Sequence, residues 1–158
     1  MKNIKIEIKW AIIFTLMMLL WMALERLAGL HDKNIEYHPI VTNFVAIPAI
    51  AVYVLALLDK RKNYFDGKMT YKQGFLTGLI MTLFITALSP LTQILTVTVI
   101  TPEYFTNMIE YSVEQGKMTR EAAETNFNLN SYLLQTVIFT PVMGIVTTAI
   151  VAIFTRKK

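Results

Sequence analysis

The sequence predicts an all-α fold, an integral membrane four-helix bundle with a short helical segment on its outer side, and three observations carry that prediction. The first is composition: 54% of the 158 residues are hydrophobic, only 16% are charged, and the mean hydropathy is +0.48, too apolar for a water-soluble domain. The second is length. Four apolar stretches, at about 10–30, 39–58, 71–100 and 131–155, each reach the roughly 20 residues that a helix needs to cross about 30 Å of hydrocarbon. The third is the placement of basic residues, which gather on alternate sides of these stretches. No internal repeat or composition break divides the chain, so residues 1–158 form a single four-span domain.

The direction of the spans follows from charge. Lys2, Lys5 and Lys9 precede the first span; Lys60, Arg61, Lys62, Lys68 and Lys72 join the second to the third; Arg156, Lys157 and Lys158 follow the fourth. The other side holds Lys33, Lys117 and Arg120 among Asp32, Glu36, Glu103, Glu110, Glu114, Glu121 and Glu124. The positive-inside rule then places both termini of a multi-pass membrane protein in the cytoplasm. The start resembles a signal peptide, but its apolar run is longer than an h-region and no small-x-small cleavage site precedes Glu25, so it is expected to remain as the first span. The pI near 9.3 reflects this topology and predicts no nucleic-acid partner, because the basic residues form no single patch. The absence of cysteine excludes disulfides and thiolate metal sites.

The first span carries Glu25 and Arg26. Counted from Trp10, Glu25 lies 15 residues on, about 22 Å into the core and in the outer leaflet. Arg26 is long enough to snorkel to the outer headgroups; Glu25 is not, and its donors are expected from another helix, lipid or water. The second span brings Asn43 near its outer end. Thr70 and Gln73 form a capping box at the start of the third. Along that span Gly74, Gly78, Thr82, Thr86, Ser89, Gln93 and Thr96 make a small and polar stripe, and Thr136, Thr140, Gly144 and Thr148 do the same on the fourth. Such stripes let helices approach closely, so they are expected to meet each other or a second copy. Pro48, Pro90 and Pro141 each fall about 15 Å deep, where they free the carbonyls of Phe44, Thr86 and Val137 and kink the helices; Ser89 and Thr140 stand ready to re-satisfy the backbone. The outer segment, about 102–128, is predicted to hold a helix capped by Thr101 and running to Gly116, with Phe105, Met108, Ile109 and Val113 on one face, and a second from Thr119. It is expected to cap the span ends, the alternative being a helix in the headgroups or a lid.

Glu25, Asn43, Gln93 and Gln135 come from four helices at similar depth and are the candidate ligand-binding residues, because polar groups in hydrocarbon are costly until they find partners. The alternative is interhelical glue. His31 and His38 flank a short outer loop with Asp32 and Glu36, but no spacing there fixes tetrahedral ligation, so no metal and no cofactor is expected. Asp66 and Gly67 mark a turn without phosphate-loop spacing, and no catalytic set is evident.

The stretches "WMALERLAGLHD", "ALLDKRKNYFDGKMTYKQGF", "ALSPLTQ" and "IVAIFTRKK" resemble, along the whole chain, the bacterial family called domain of unknown function 4199. The resemblance implies a bacterial inner-membrane protein with four helices and no established activity. Its members are often encoded near a polyprenyl-phosphate glycosyltransferase, an association and not a mechanism. Two functions stand as expectations. One is a non-enzymatic structural or accessory subunit that packs through the third and fourth spans against a membrane protein or a second copy. The other is a binder or carrier of a small or lipid-linked, polyprenyl-type ligand at an outer-leaflet polar pocket. Membrane lipid is a partner in both.

Overall fold

A computed structural model describes residues 4–157. Its helices are α1 (Lys5–Leu27), α2 (His38–Val41), α3 (Ala46–Asn63), α4 (Tyr71–Leu95), α5 (Tyr104–Glu114), α6 (Arg120–Asn126) and α7 (Leu129–Thr155). A 3-10 turn, Ile35–Tyr37, leads into α2, and a second, Thr42–Val45, joins α2 to α3. The whole of Ile35–Asn63 is therefore one span, and with α1, Tyr71–Ile100 and α7 it gives four helical stretches long and apolar enough to cross a membrane. Among the described residues the only β pairing is an isolated antiparallel bridge between Met69 and Lys157. The lipid face is recognisable from side chains that a soluble protein would bury: Leu27 is 81% exposed, Phe154 79% and Leu83 68%.

The first span begins earlier than hydropathy alone predicts, at Lys5 instead of Trp10, because its charged residues find partners on α3. Lys60 Nζ lies 2.9 Å from Glu7 Oε1 and both side chains are buried, while Lys9 pairs with Asp59. Trp10 Nε1 donates to Asp59 Oδ2 at 2.6 Å. Arg61 donates to the Thr155 carbonyl at 2.8 Å, and reciprocal bonds of 2.8 Å join Met69 and Lys157. These contacts fasten the basic end of the bundle.

Proline acts differently in the three helices. Pro48 has no N–H for the Phe44 carbonyl, and the turn upstream of it tightens to 3-10 geometry. At Pro90, Ser89 Oγ donates to the freed Thr86 carbonyl at 2.9 Å, the compensation expected from the sequence. Beyond it the helix widens into a π-turn over Thr96–Ile100. Pro141 lies inside α7 without ending it.

The two small-residue stripes meet each other within the chain. A Cβ on Gly78 would fall 2.4 Å from Thr148 Cγ2, and one on Gly144 would fall 2.4 Å from Thr82 Cγ2, so the α4 and α7 backbones approach as closely as glycine permits. Tyr53 from α3 bonds to Thr82 Oγ1 at 2.8 Å, tying a third helix to the seam. The apolar core beside it includes Ala11, Ala56, Leu57, Met81 and Ala152.

At the other end, α5 and α6 form a cap. Thr101 is not the N-cap of α5: its hydroxyl donates to the Thr96 carbonyl, and α5 starts after Glu103 with no side-chain cap. Of the predicted Phe105, Met108, Ile109 and Val113 face, Met108 is buried and the others are half-buried; the most buried line is Tyr104, Met108 and Ser112, because Tyr104 is drawn among the rings of His31, His38 and Tyr132. Tyr104 and Met108 pack with Ile35, which favours a cap on the span ends over a helix lying in headgroups. The second helix follows Thr119 as expected, and the Thr119 hydroxyl caps it by accepting from the Ala122 amide. Arg120 grips Glu110 with two bonds of 2.9 and 3.0 Å and holds that exposed carboxyl below its usual range.

Candidate functional site

The first site begins at the end of α1. Leu30 N donates to the Glu25 carbonyl at 3.0 Å and Gly29 N to the Arg26 carbonyl at 2.9 Å, a Schellman motif closed by Gly29 at φ +75°. Glycine takes this left-handed conformation without a Cβ penalty. The chain thereby doubles back, and His31 returns beside the carboxylate of Glu25. Asn34 Nδ2 holds the turn through the Ala28 carbonyl at 2.8 Å, and Asn107 from α5 donates to the His31 carbonyl at 2.8 Å. His38 arrives as the first residue of α2, ahead of Pro39.

Three side chains converge there. Glu25 Oε2 lies 3.1 Å from His31 Nε2 and 3.5 Å from His38 Nε2, with Glu25 and His31 buried and His38 nearly so. Glu25 Oε1 accepts from Trp21 Nε1 at 2.5 Å. The Tyr104 ring closes the cluster, its centroid 5.1 Å from that of His31 and 5.3 Å from that of His38. Burial pushes the Tyr104 phenol up, with help from the neighbouring Tyr132 hydroxyl 3.3 Å away, so Tyr104 keeps its proton. His31 Nδ1 is buried without a hydrogen-bond partner.

This arrangement corrects two expectations. The histidine loop, in which no spacing fixed a ligand geometry, is held by a glycine turn, an Asn107 bond and edge-to-face ring contacts and brings His31 to Glu25, while His38 reaches the carboxylate from another helix, α2, as expected of a donor to it. Trp21, four residues before Glu25 on the same helix, also reaches the carboxylate, because an indole N–H projects far enough to span one turn. Arg26 is exposed and turns to the Ile100 carbonyl at the end of the π-turn, where a cation complements the helix dipole.

The remaining candidates separate. Asn43 is exposed and its side chain donates to the Pro39 carbonyl at 2.6 Å on its own span. Gln93 and Gln135 instead face a cavity of about 300 Å³ between α1, α4 and α7, in the half of the bundle nearest the cap. Ser89 and Thr140, each beside a proline, also line it, as do Phe14, Met18, Met22 and Phe139. Thr136 Oγ1 donates to Gln93 Oε1 at 3.5 Å, a long bond that leaves both groups able to take another partner. The four residues expected in one pocket thus occupy three places, since Glu25 turned toward the cap and Asn43 toward its own backbone.

Four apolar helices around a polar seam, capped at one end by two short helices, define a multi-pass helical membrane protein. The chain belongs to the family described as protein of unknown function (DUF4199), whose profile matches residues 9–157. No curated protein and no solved structure shows significant similarity to it.

Proposed function

We propose that the protein is a non-enzymatic component of the bacterial inner membrane that holds a small or lipid-linked ligand in the groove between α1, α4 and α7. The observation that supports this is the groove itself: at about 300 Å³ it has the size of a small-ligand pocket, and its lining mixes methionine and aromatic side chains with amide and hydroxyl groups. Its lining includes no basic side chain, so it suits an uncharged hydroxyl- or amide-bearing group, or a stretch of isoprenoid-like chain, better than a phosphate. The alternative, an accessory subunit packing through α4 and α7, loses its main surface because the small-residue faces of those helices are occupied by each other.

Native mass spectrometry from mild detergent tests the reading. The wild type should retain a lipid or small adduct, and Gln93→Leu, which removes the amide without emptying the space, should reduce its occupancy several-fold. A bare chain, or one that retains a partner protein and no lipid, would refute it.

The direction proposed for the bundle places both termini and the α3–α4 joint in the cytoplasm, in keeping with the basic residues at that end. Reporter fusions after Lys62 and at the C-terminus should give cytoplasmic signals, and fusions near Gly116 external ones. A cytoplasmic signal at Gly116 would invert or break the four-span topology.

A further inference from the structure

We propose that Glu25, His31 and His38 form a binding site for a first-row divalent transition cation of the zinc type, separate from the groove. Two imidazoles and one carboxylate are a donor set that such ions take readily, and the chain has no cysteine to offer a thiolate alternative. The geometry agrees. Ligands held about 2.0–2.1 Å from a tetrahedral ion are separated by about 3.3 Å from one another. The distances from Glu25 Oε2 to His31 Nε2 and His38 Nε2, 3.1 and 3.5 Å, bracket that separation. All three ligand atoms lie within 4.8 Å of one another, so a modest rotation of one ring gathers them around a single ion.

Both imidazoles turn Nε2 to the same carboxylate oxygen, in a place where Glu25 and His31 are 2% and 4% exposed. A divalent ion there would compensate the charge of the buried Glu25 carboxylate. The surroundings are those of a supported site. Trp21 holds Glu25 Oε1 at 2.5 Å and leaves Oε2 to face the histidines, Asn107 fixes the His31 backbone, and the Tyr104 ring shields both imidazoles from water. Three protein ligands leave one coordination position for water or an external group.

These are the only two histidines in the sequence, which makes the test specific provided that purification uses a tag without histidine. After chelator treatment, the intact chain in detergent is titrated with Zn2+ alone by calorimetry and elemental analysis, and with Co2+ by visible absorption. One Zn2+ per chain is expected, with the intense Co2+ spectrum of a low-coordinate nitrogen and oxygen site. His31→Gln combined with His38→Gln should abolish uptake, and Trp21→Phe should weaken it by about tenfold or more, as loss of an outer-shell partner does. Zn2+ uptake by the wild type no greater than by the double variant would overturn the proposal. Should the double variant fail to fold, the wild type still decides: no bound Zn2+, or a spectrum like that of hydrated Co2+, overturns it.

Discussion

Lys60→Ala should destabilise the protein by about 3–5 kcal/mol, the cost of breaking a buried ion pair by removing one partner. Glu7 and Lys60 are 2% and 3% exposed, and their charged atoms meet at 2.9 and 3.0 Å. The ammonium also lies over the Tyr64 ring, 3.9 Å from its centroid. Truncation leaves the Glu7 carboxylate in an apolar joint between α1 and α3 with its strongest partner gone. Because the loss comes mostly from that stranded charge, Glu7→Leu together with Lys60→Met should recover much of it. Thermal unfolding in detergent measures both. If Lys60→Ala stays within about 0.5 kcal/mol of wild type, as surface substitutions do, the pair is solvated and the joint is not closed.

The second large effect is expected at the α4–α7 seam. A Cβ at position 144 meets Thr82 Cγ2 at 2.4 Å, Thr82 Oγ1 at 2.6 Å and the Tyr53 hydroxyl at 2.8 Å. Thr82 is β-branched and stiff in a helix, so it cannot swing aside freely. Gly144→Val should therefore force the helices apart, disturb the Tyr53–Thr82 bond and cost about 1–3 kcal/mol or more, the range for overpacking a dense core. Gly74→Ala is the control on the same stripe. There the nearest atom is Met69 Cε at 3.1 Å, the far end of a flexible side chain, and the melting temperature should fall much less. Equal losses at the two positions would mean that the seam is looser than its geometry indicates.

Features governed by local chemistry were legible in the sequence. The Thr70–Gln73 capping box, the helix start at Thr119, the compensation of Pro90 by Ser89 and the pairing of the two small-residue stripes all depend on residues one or two turns apart or on helix faces, and periodicity exposes both. The buried Glu7–Lys60 pair was hidden because the positive-inside rule counts Lys60 as a topological charge and says nothing of its burial. The histidine cluster was hidden for another reason. Helical spacing places nothing from 31 or 38 near Glu25; only a left-handed residue at 29 brings them back, and its signal was a glycine just beyond the last apolar turn of α1. Gln93 and Gln135 were readable as sharing a depth, but depth does not fix azimuth, which is why Asn43 fell on the outside.

The Schellman turn has a consequence for biosynthesis. Glu25, Trp21, His31 and His38 all leave the ribosome before α4 has been made, and the glycine turn brings His31 back to Glu25 through bonds within residues 25–34. The polar cluster can thus form in the nascent first hairpin, satisfying a carboxylate that would otherwise be stranded while its helix enters the lipid. Tyr104 and Asn107, made only after α4 has left the ribosome's active site, belong to the cap and not to this first unit, so the carboxylate's own partners are all encoded ahead of it.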